Sequence, residues 1–177
     1  FSLVAIALVG VGFLAACGGS GSTGERGSAG NPASQSGLLD PTFNGSGYVI
    51  QTGTAGGTMD EGRAVVVDNQ GRIVVAGSSY DGNSKFNLAI WRYTGTGSLD
   101  TTFNDTGFVT KVGTAGAAAG NGFDGGRSVA VDGQGRIVVA GLSRDGSGHL
   151  NLAVWRYTHT GSLDTTFNGT GFVTQAG

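Results

Sequence analysis

Three arginines recur at fixed places in this chain. Arg63, Arg72 and Arg92 return as Arg127, Arg136 and Arg156, and guanidinium groups brought together would make an anion site. Repetition argues for a different use. A residue at the same position in every copy of a repeat packs its stem and pairs with the neighbouring copy more often than it binds a ligand. The same reasoning moves Trp91/Trp155 and Tyr93/Tyr157 from a sugar-stacking platform to packing between copies. Asp60, Glu61, Asp81 and Asp145 could offer oxygen ligands to Ca²⁺, but they do not alternate as in an EF-hand loop. Asp68 and Asp132 each open a tight turn and read as turn formers. His149 aligns with Lys85 and His159 with Gly95, away from any Cys and not at metal-ligand spacing, so both read as solvated loop residues. Glu25 and Glu61 are the only glutamates. No nucleophile elbow, phosphate loop or zinc-protease motif is present. The expectation is therefore no catalytic residue, no cofactor and no metal.

These residues sit on a repeat of about sixty residues. The heptapeptide Ser98-Leu-Asp-Thr-Thr-Phe-Asn104 returns unchanged at 162–168, with a looser version at 38–44. Gln70-Gly-Arg-Ile-Val-Val-Ala-Gly77 returns at 134–141, and Asn87-Leu-Ala-Ile-Trp-Arg-Tyr-Thr94 returns at 151–158 with Ile90 replaced by Val154. The modules run 38–97 and 98–161, with a partial third at 162–177. Each holds four short apolar runs of strand length, in the first module 47–50, 63–67, 72–76 and 88–93. Asp68-Asn-Gln-Gly71 and Asp132-Gly-Gln-Gly135 predict tight hairpins between the second and third runs. Ala64 and Val66 alternate with Val65 and Val67, so that strand reads as a central one, apolar on both faces and needing a sheet on each side. The 88–93 run reads as an outer strand. Four-stranded antiparallel meanders stacked face to face are the blades of a β-propeller. The expected fold is all-β: two full blades, a partial third and no helix after residue 16. Phe43, Phe103 and Phe167 are expected to anchor the connections between blades.

The chain begins differently. Residues 1–16 form an uncharged apolar run, shorter than a membrane span and suited to a helical signal peptide whose start has been lost. Leu14-Ala15-Ala16-Cys17 followed by Gly18-Gly19-Ser20 resembles the lipobox of bacterial lipoproteins. That resemblance implies cleavage before Cys17 and lipidation of Cys17, including a palmitate-type acyl chain. It also implies a place in the bacterial cell envelope, at the outer membrane if the cell is Gram-negative, facing the periplasm or the surface. Residues 17–37, rich in Gly and Ser, read as a flexible tether. Cys17 is the sole cysteine, so no intrachain disulfide can form. A net charge of −2 with 12% charged residues offers no basic patch for nucleic acid.

The order Leu-Asp-x-Thr-Phe-Asn, Gly-Arg-[AS]-Val, Asp-x-Gln-Gly-Arg-Ile-Val-Val-Ala-Gly and Asn-Leu-Ala-[IV]-Trp-Arg-Tyr-Thr resembles the delta-60 repeat of bacterial surface and secreted proteins. The resemblance implies a propeller blade per repeat and transfers no active site. Sixty residues separate Leu39 from Leu99 and sixty-four separate Leu99 from Leu163. The extra residues fall between 113 and 126, marking a surface loop. If the domain has a binding rim, Asp60, Glu61, Asn121, Phe123 and Asp124 are its candidates. The function expected is a lipid-anchored, non-catalytic binding or scaffold module, with a membrane through Cys17 and a protein or glycan as partners. The alternative is a fragment of an envelope-polymer hydrolase or lyase. Two blades do not close a ring of ~4–8. Truncation, assembly of several copies or packing of the two sheets as a sandwich would each answer that. The heptapeptide could open a blade or close the previous one, and residues 171–174 could complete a blade begun elsewhere.

Overall fold

The computed structural model describes residues 37–116 and 122–176. The signal peptide, Cys17 and all but the last residue of the tether lie outside the described residues. Eight strands form two sheets of identical plan. The first holds β1 (Asp60–Val67), β2 (Ile73–Tyr80), β3 (Phe86–Tyr93) and β4 (Phe108–Lys111). The second holds β5 (Asp124–Val131), β6 (Ile137–Arg144), β7 (Leu150–Tyr157) and β8 (Phe172–Gln175). Each is an antiparallel meander in sequence order, with no helix among the described residues.

Local chemistry sets the hairpins. Asp68 Oδ1 accepts from the Gln70 and Arg72 amides at 2.9 Å each, and Gly71 turns the chain at φ 74°. Asp132 and Gly135 repeat the arrangement in the second sheet. The turn leaves Val67 opposite Ile73 and Val131 opposite Ile137. A bulge at Arg63 and its counterpart Arg127 shifts the register of the innermost pair. Gly77 and Gly141 face the partner backbone there, and a Cβ on either would overlap the carbonyl of Glu61 or Gly125.

The phase of the sheets is offset from the phase of the sequence repeat. Residues 108–111, the first apolar run of the second module, close the first sheet by pairing with Leu88–Trp91. Residues 172–175 close the second sheet on β7 in the same way, so the 171–174 run completes the blade beside it in the chain rather than one begun elsewhere. The equivalent run at 47–50 has no strand partner among the described residues. Two further expectations change with it. The 88–93 run is an inner strand, flanked by β2 and β4 and almost wholly buried, rather than an outer one. The 63–67 run is an edge strand rather than a central one. Only one face of it packs: Val66 lies against the shared core, whereas Val65 and Val67 are exposed.

The sheets pack face to face. Val74, Ala76, Leu88 and Ile90 of the first sheet share one core with Ile137, Val139, Ala153, Trp155 and Tyr157 of the second. Phe103 is fully buried in the same core, at the connection between the sheets. Gly126 of β5 comes so near that a Cβ would stand 3.1 Å from Leu88 and 3.2 Å from Ala76. The expected use of Phe103 as an anchor between blades is met.

Candidate functional site

The polar residues that stood out in the sequence are gathered into three small networks, each present once per sheet. In the first, Asp60 Oδ2 accepts from the Thr54 amide at 3.1 Å and from its hydroxyl at 2.6 Å, and Trp91 Nε1 donates to Thr54 Oγ1 at 2.8 Å. Asp124, Thr114 and Trp155 repeat it at 3.1, 2.8 and 2.9 Å. The Ser79 and Ser143 hydroxyls hold the next amides, those of Ala55 and Ala115, at 2.9 and 2.8 Å. The Gly-rich loops are thus clamped at their base, whatever their length beyond it.

The second network holds the corner between blades. Arg92 Nε donates to Asp100 Oδ2 at 2.7 Å, and Nη2 donates to Thr102 Oγ1 at 2.8 Å. Its guanidinium carbon stands 4.8 Å over the Phe103 ring, a cation–π contact. Nη1 donates to the His159 carbonyl, across to the second blade. Arg156, Asp164, Thr166 and Phe167 repeat the first three contacts at 2.7, 2.9 and 4.9 Å. The third network is the hairpin, where Arg72 and Arg136 each bond the turn-forming aspartate at 2.7 Å. The three repeated arginines therefore do not converge on an anion site. Arg72, Arg136, Arg92 and Arg156 are tied to aspartates of their own blade, Arg92 alone also reaches the next, and Arg63 pairs with Glu61.

The electrostatics follow from these bonds. Burial alone would raise the Asp100 carboxyl, but donors from Thr102 and the Arg92 charge outweigh it and hold the group below its ordinary range. Asp68 is lowered against its own burial by the amides and guanidinium of its turn. Burial first, then the Asp124 charge, pushes the Tyr157 phenol well above its ordinary value. Such groups are locked in one protonation state at neutral pH, unlike an acid or base poised to transfer a proton.

The rim candidates do not form one surface. Asp60 and Asp124 turn inward to their Thr–Trp networks, and Asp124 is fully buried. Glu61 pairs with Arg63 at the surface. The Phe123 ring lies 5.9 Å from Phe86, and the two backbones bridge in parallel, which fastens the second blade to the first. Asn121 falls outside the described residues. His149 stands 3.4 Å from Asp145 on an exposed loop. Among the described residues no His, Cys, Asp or Glu group could hold a metal ion.

A cavity of about 430 Å³ opens on the far side of the first sheet, lined by Val49, Asp60, Ile73, Val75, Trp91 and Tyr93. Sequence reasoning missed it. Five of these residues match Asp124, Ile137, Val139, Trp155 and Tyr157, the surface the second sheet presents to the first. The cavity is thus a blade face covered in part by Val49, with Trp91 and Tyr93 buried beneath it, and its lining repeats that of the inter-blade core.

A family model described as "Domain of unknown function (DUF5122) beta-propeller" matches residues 71–103 and 135–167. The two stretches cover the inner strands and the Arg–Asp–Phe corner of each sheet. No curated protein and no solved structure matches the chain. Sheet topology, face-to-face packing and the twice-matched family model agree: residues 38–177 carry two four-stranded blades of β-propeller type.

Proposed function

We propose that the chain is a lipid-anchored module of the bacterial cell envelope, of the delta-60 kind, that binds or scaffolds rather than catalyses. One observation carries the non-catalytic reading. The side chains with chemical capacity bond to one another in both blades, with nearly the same partners and lengths. A catalytic group is expected where copies differ and where a carboxylate or imidazole lies open to substrate. The differing positions His149 and His159 stand in loops, and the His159 backbone serves the inter-blade bond. The anchor rests on Leu14-Ala15-Ala16-Cys17 and on the Gly/Ser tract behind it.

The test is expression in a bacterial host with labelled palmitate. The chain is expected to take up label and to sediment with membranes until detergent is added. Cys17→Ser is expected to lose the label and leave the membrane fraction. Label-free wild type, or a variant that stays membrane-bound, would contradict the anchor. Purified protein incubated with peptidoglycan and envelope polysaccharide is expected to release no soluble fragments. Fragment release would favour the hydrolase or lyase reading.

A further inference from the structure

Each blade has two different faces. The first face of blade one carries Val74, Ala76, Leu88 and Ile90, and is buried against the second blade. The same positions in blade two are Val138, Ala140, Leu152 and Val154, and among the described residues no sheet packs on them, Leu152 being exposed and the others half-buried. Leu88 is 0% exposed, whereas Leu152 is 53% exposed. The opposite face of blade two carries Ile137, Val139, Trp155 and Tyr157, buried against blade one, with Val129 and Val131 packed at its margin. Its counterpart in blade one is the cavity face, where the residues matching Val129 and Val131 are exposed, Val67 to 62%. The described residues therefore leave one half of this interface open on blade two, while on blade one the other half is covered only by the segment carrying Val49, under which Trp91 and Tyr93 are buried.

We propose that a second copy of this chain docks head to tail on the first. The open face of blade two in one copy packs on the cavity face of blade one in the next, as blade one packs on blade two within each chain. The Val-Ala-Leu-Val set would fill the 430 Å³ cavity as Val-Ala-Leu-Ile fills its counterpart. The polar bonds complete themselves by the same rule. Arg92 reaches the His159 carbonyl of the following blade. Arg156, its side chain 19% exposed against 2% for Arg92, would reach the carbonyl of Gly95, which matches His159, in the second copy.

Residues 38–50 mark the docking position. The Asn44 amide donates to the Thr96 carbonyl at 2.8 Å, as the Asn104 amide donates to Thr160. Phe43 lies against Gly97 as Phe103 lies against Gly161. This segment occupies the place where a preceding blade would put its closing corner. An incoming copy brings the same corner as Phe167 and Asn168, so the resident segment yields. Leu38, Leu39 and Ile50 are exposed and residues 48–50 pair with no strand, so its displacement gives up chiefly the packing of Val49 on Trp91 and Tyr93, which the incoming apolar set replaces. The contact is heterologous, so copies add in one direction until a ring closes. The 177 residues carry two blades, so a ring of ~4–8 blades built from them alone holds two to four copies.

Light scattering on the full chain in mild detergent tests this, with Cys17→Ser in every sample and bound detergent subtracted. The parent is expected at a small whole multiple, two to four, of the 17.6 kDa chain. Leu152→Asp blocks one face and Val67→Asp the other, both at exposed positions the fold does not need. Circular dichroism and unfolding curves confirm that each variant folds. Each variant alone is expected at the mass of one chain, and the two mixed at the mass of two, joined through the one intact pair of faces. A monomeric parent overturns the proposal. So does a single variant that still associates, which would show like face meeting like face, and so does a mixture that stays monomeric.

Discussion

Replacing Trp155 by alanine is expected to lower the stability of the chain by about 3–5 kcal/mol, the range for removing a large aromatic from a packed core. Trp155 is 0% exposed and sits in the core shared by the two blades. Its loss opens a void on blade two just where blade one must rest. It also removes the Nε1 donor to Thr114, whose hydroxyl and amide hold the buried Asp124. Urea unfolding followed by circular dichroism measures the change. Trp155→Phe separates the two roles. It keeps most of the packing, loses the hydrogen bond, and is expected to cost about 1 kcal/mol for that bond plus a smaller packing loss. An alanine variant as stable as the parent would mean that the blades do not share this core.

The second large effect distinguishes two residues that the sequence makes look equal. Arg92→Met is expected to cost about 3–5 kcal/mol, because it leaves the buried Asp100 carboxylate without its cation. It also removes the bond to the second blade and the cation–π contact with Phe103. Arg156→Met breaks the matching pair with Asp164 at a more open corner, where the Arg156 side chain is 19% exposed against 2% for Arg92. Its expected cost in the isolated chain is about 1 kcal/mol, nearer the value for surface pairs. Unfolding curves of both variants at a concentration where copies are dissociated read the difference. Equal costs would contradict the assignment of Arg92 to an inter-blade joint.

Much of this was legible in the residues. The hairpins were, because Asp68 and Asp132 act on amides two and four residues on, within reach of local reasoning. The two-faced strands were, because a period of two survives in any register. Blade phase was not. A repeat has no origin of its own, and whether residues 108–111 join the sheet before or after them is decided by pairing with Leu88–Trp91 across the whole corner. The 88–93 run was read as outer because it sets Leu88, Ile90 and Arg92 on one face against Ala89, Trp91 and Tyr93 on the other, with a charge among them. Burial of the Arg92 guanidinium is possible only once Asp100, Thr102 and the His159 carbonyl surround it.

Asp60 and Asp124 were read as rim residues because they end a loop that varies in length. Their partners lie elsewhere: Trp91 and Trp155 reach them through Thr54 and Thr114. A signal was present. Thr54-Ala55-Gly56 recurs as Thr114-Ala115-Gly116 although the loop beyond it changes. Identity preserved inside a variable loop marks a side chain that the fold requires. The cavity face escaped notice for a different reason. Its residues are core residues, and among the described residues a single segment, with Val49, covers them where blade one covers the matching face of blade two.

The central claim is that each sheet is closed by the run that opens the next sequence module, which is what leaves residues 47–50 unpaired and no sheet on either end face among the described residues. Amide hydrogen exchange on the dilute, dissociated chain tests it most directly. The Arg92 amide bonds the Gly107 carbonyl, and the Arg156 amide bonds Gly171. Bonded pairs alternate along an antiparallel ladder, so the amides of Val109 and Val173 are bonded too. These two are expected to exchange slowly, and that of Val49, at the matching position of the first run, quickly. Slow exchange at Val49 with fast exchange at Val173 would place the closing strand at the front of each module and contradict the account.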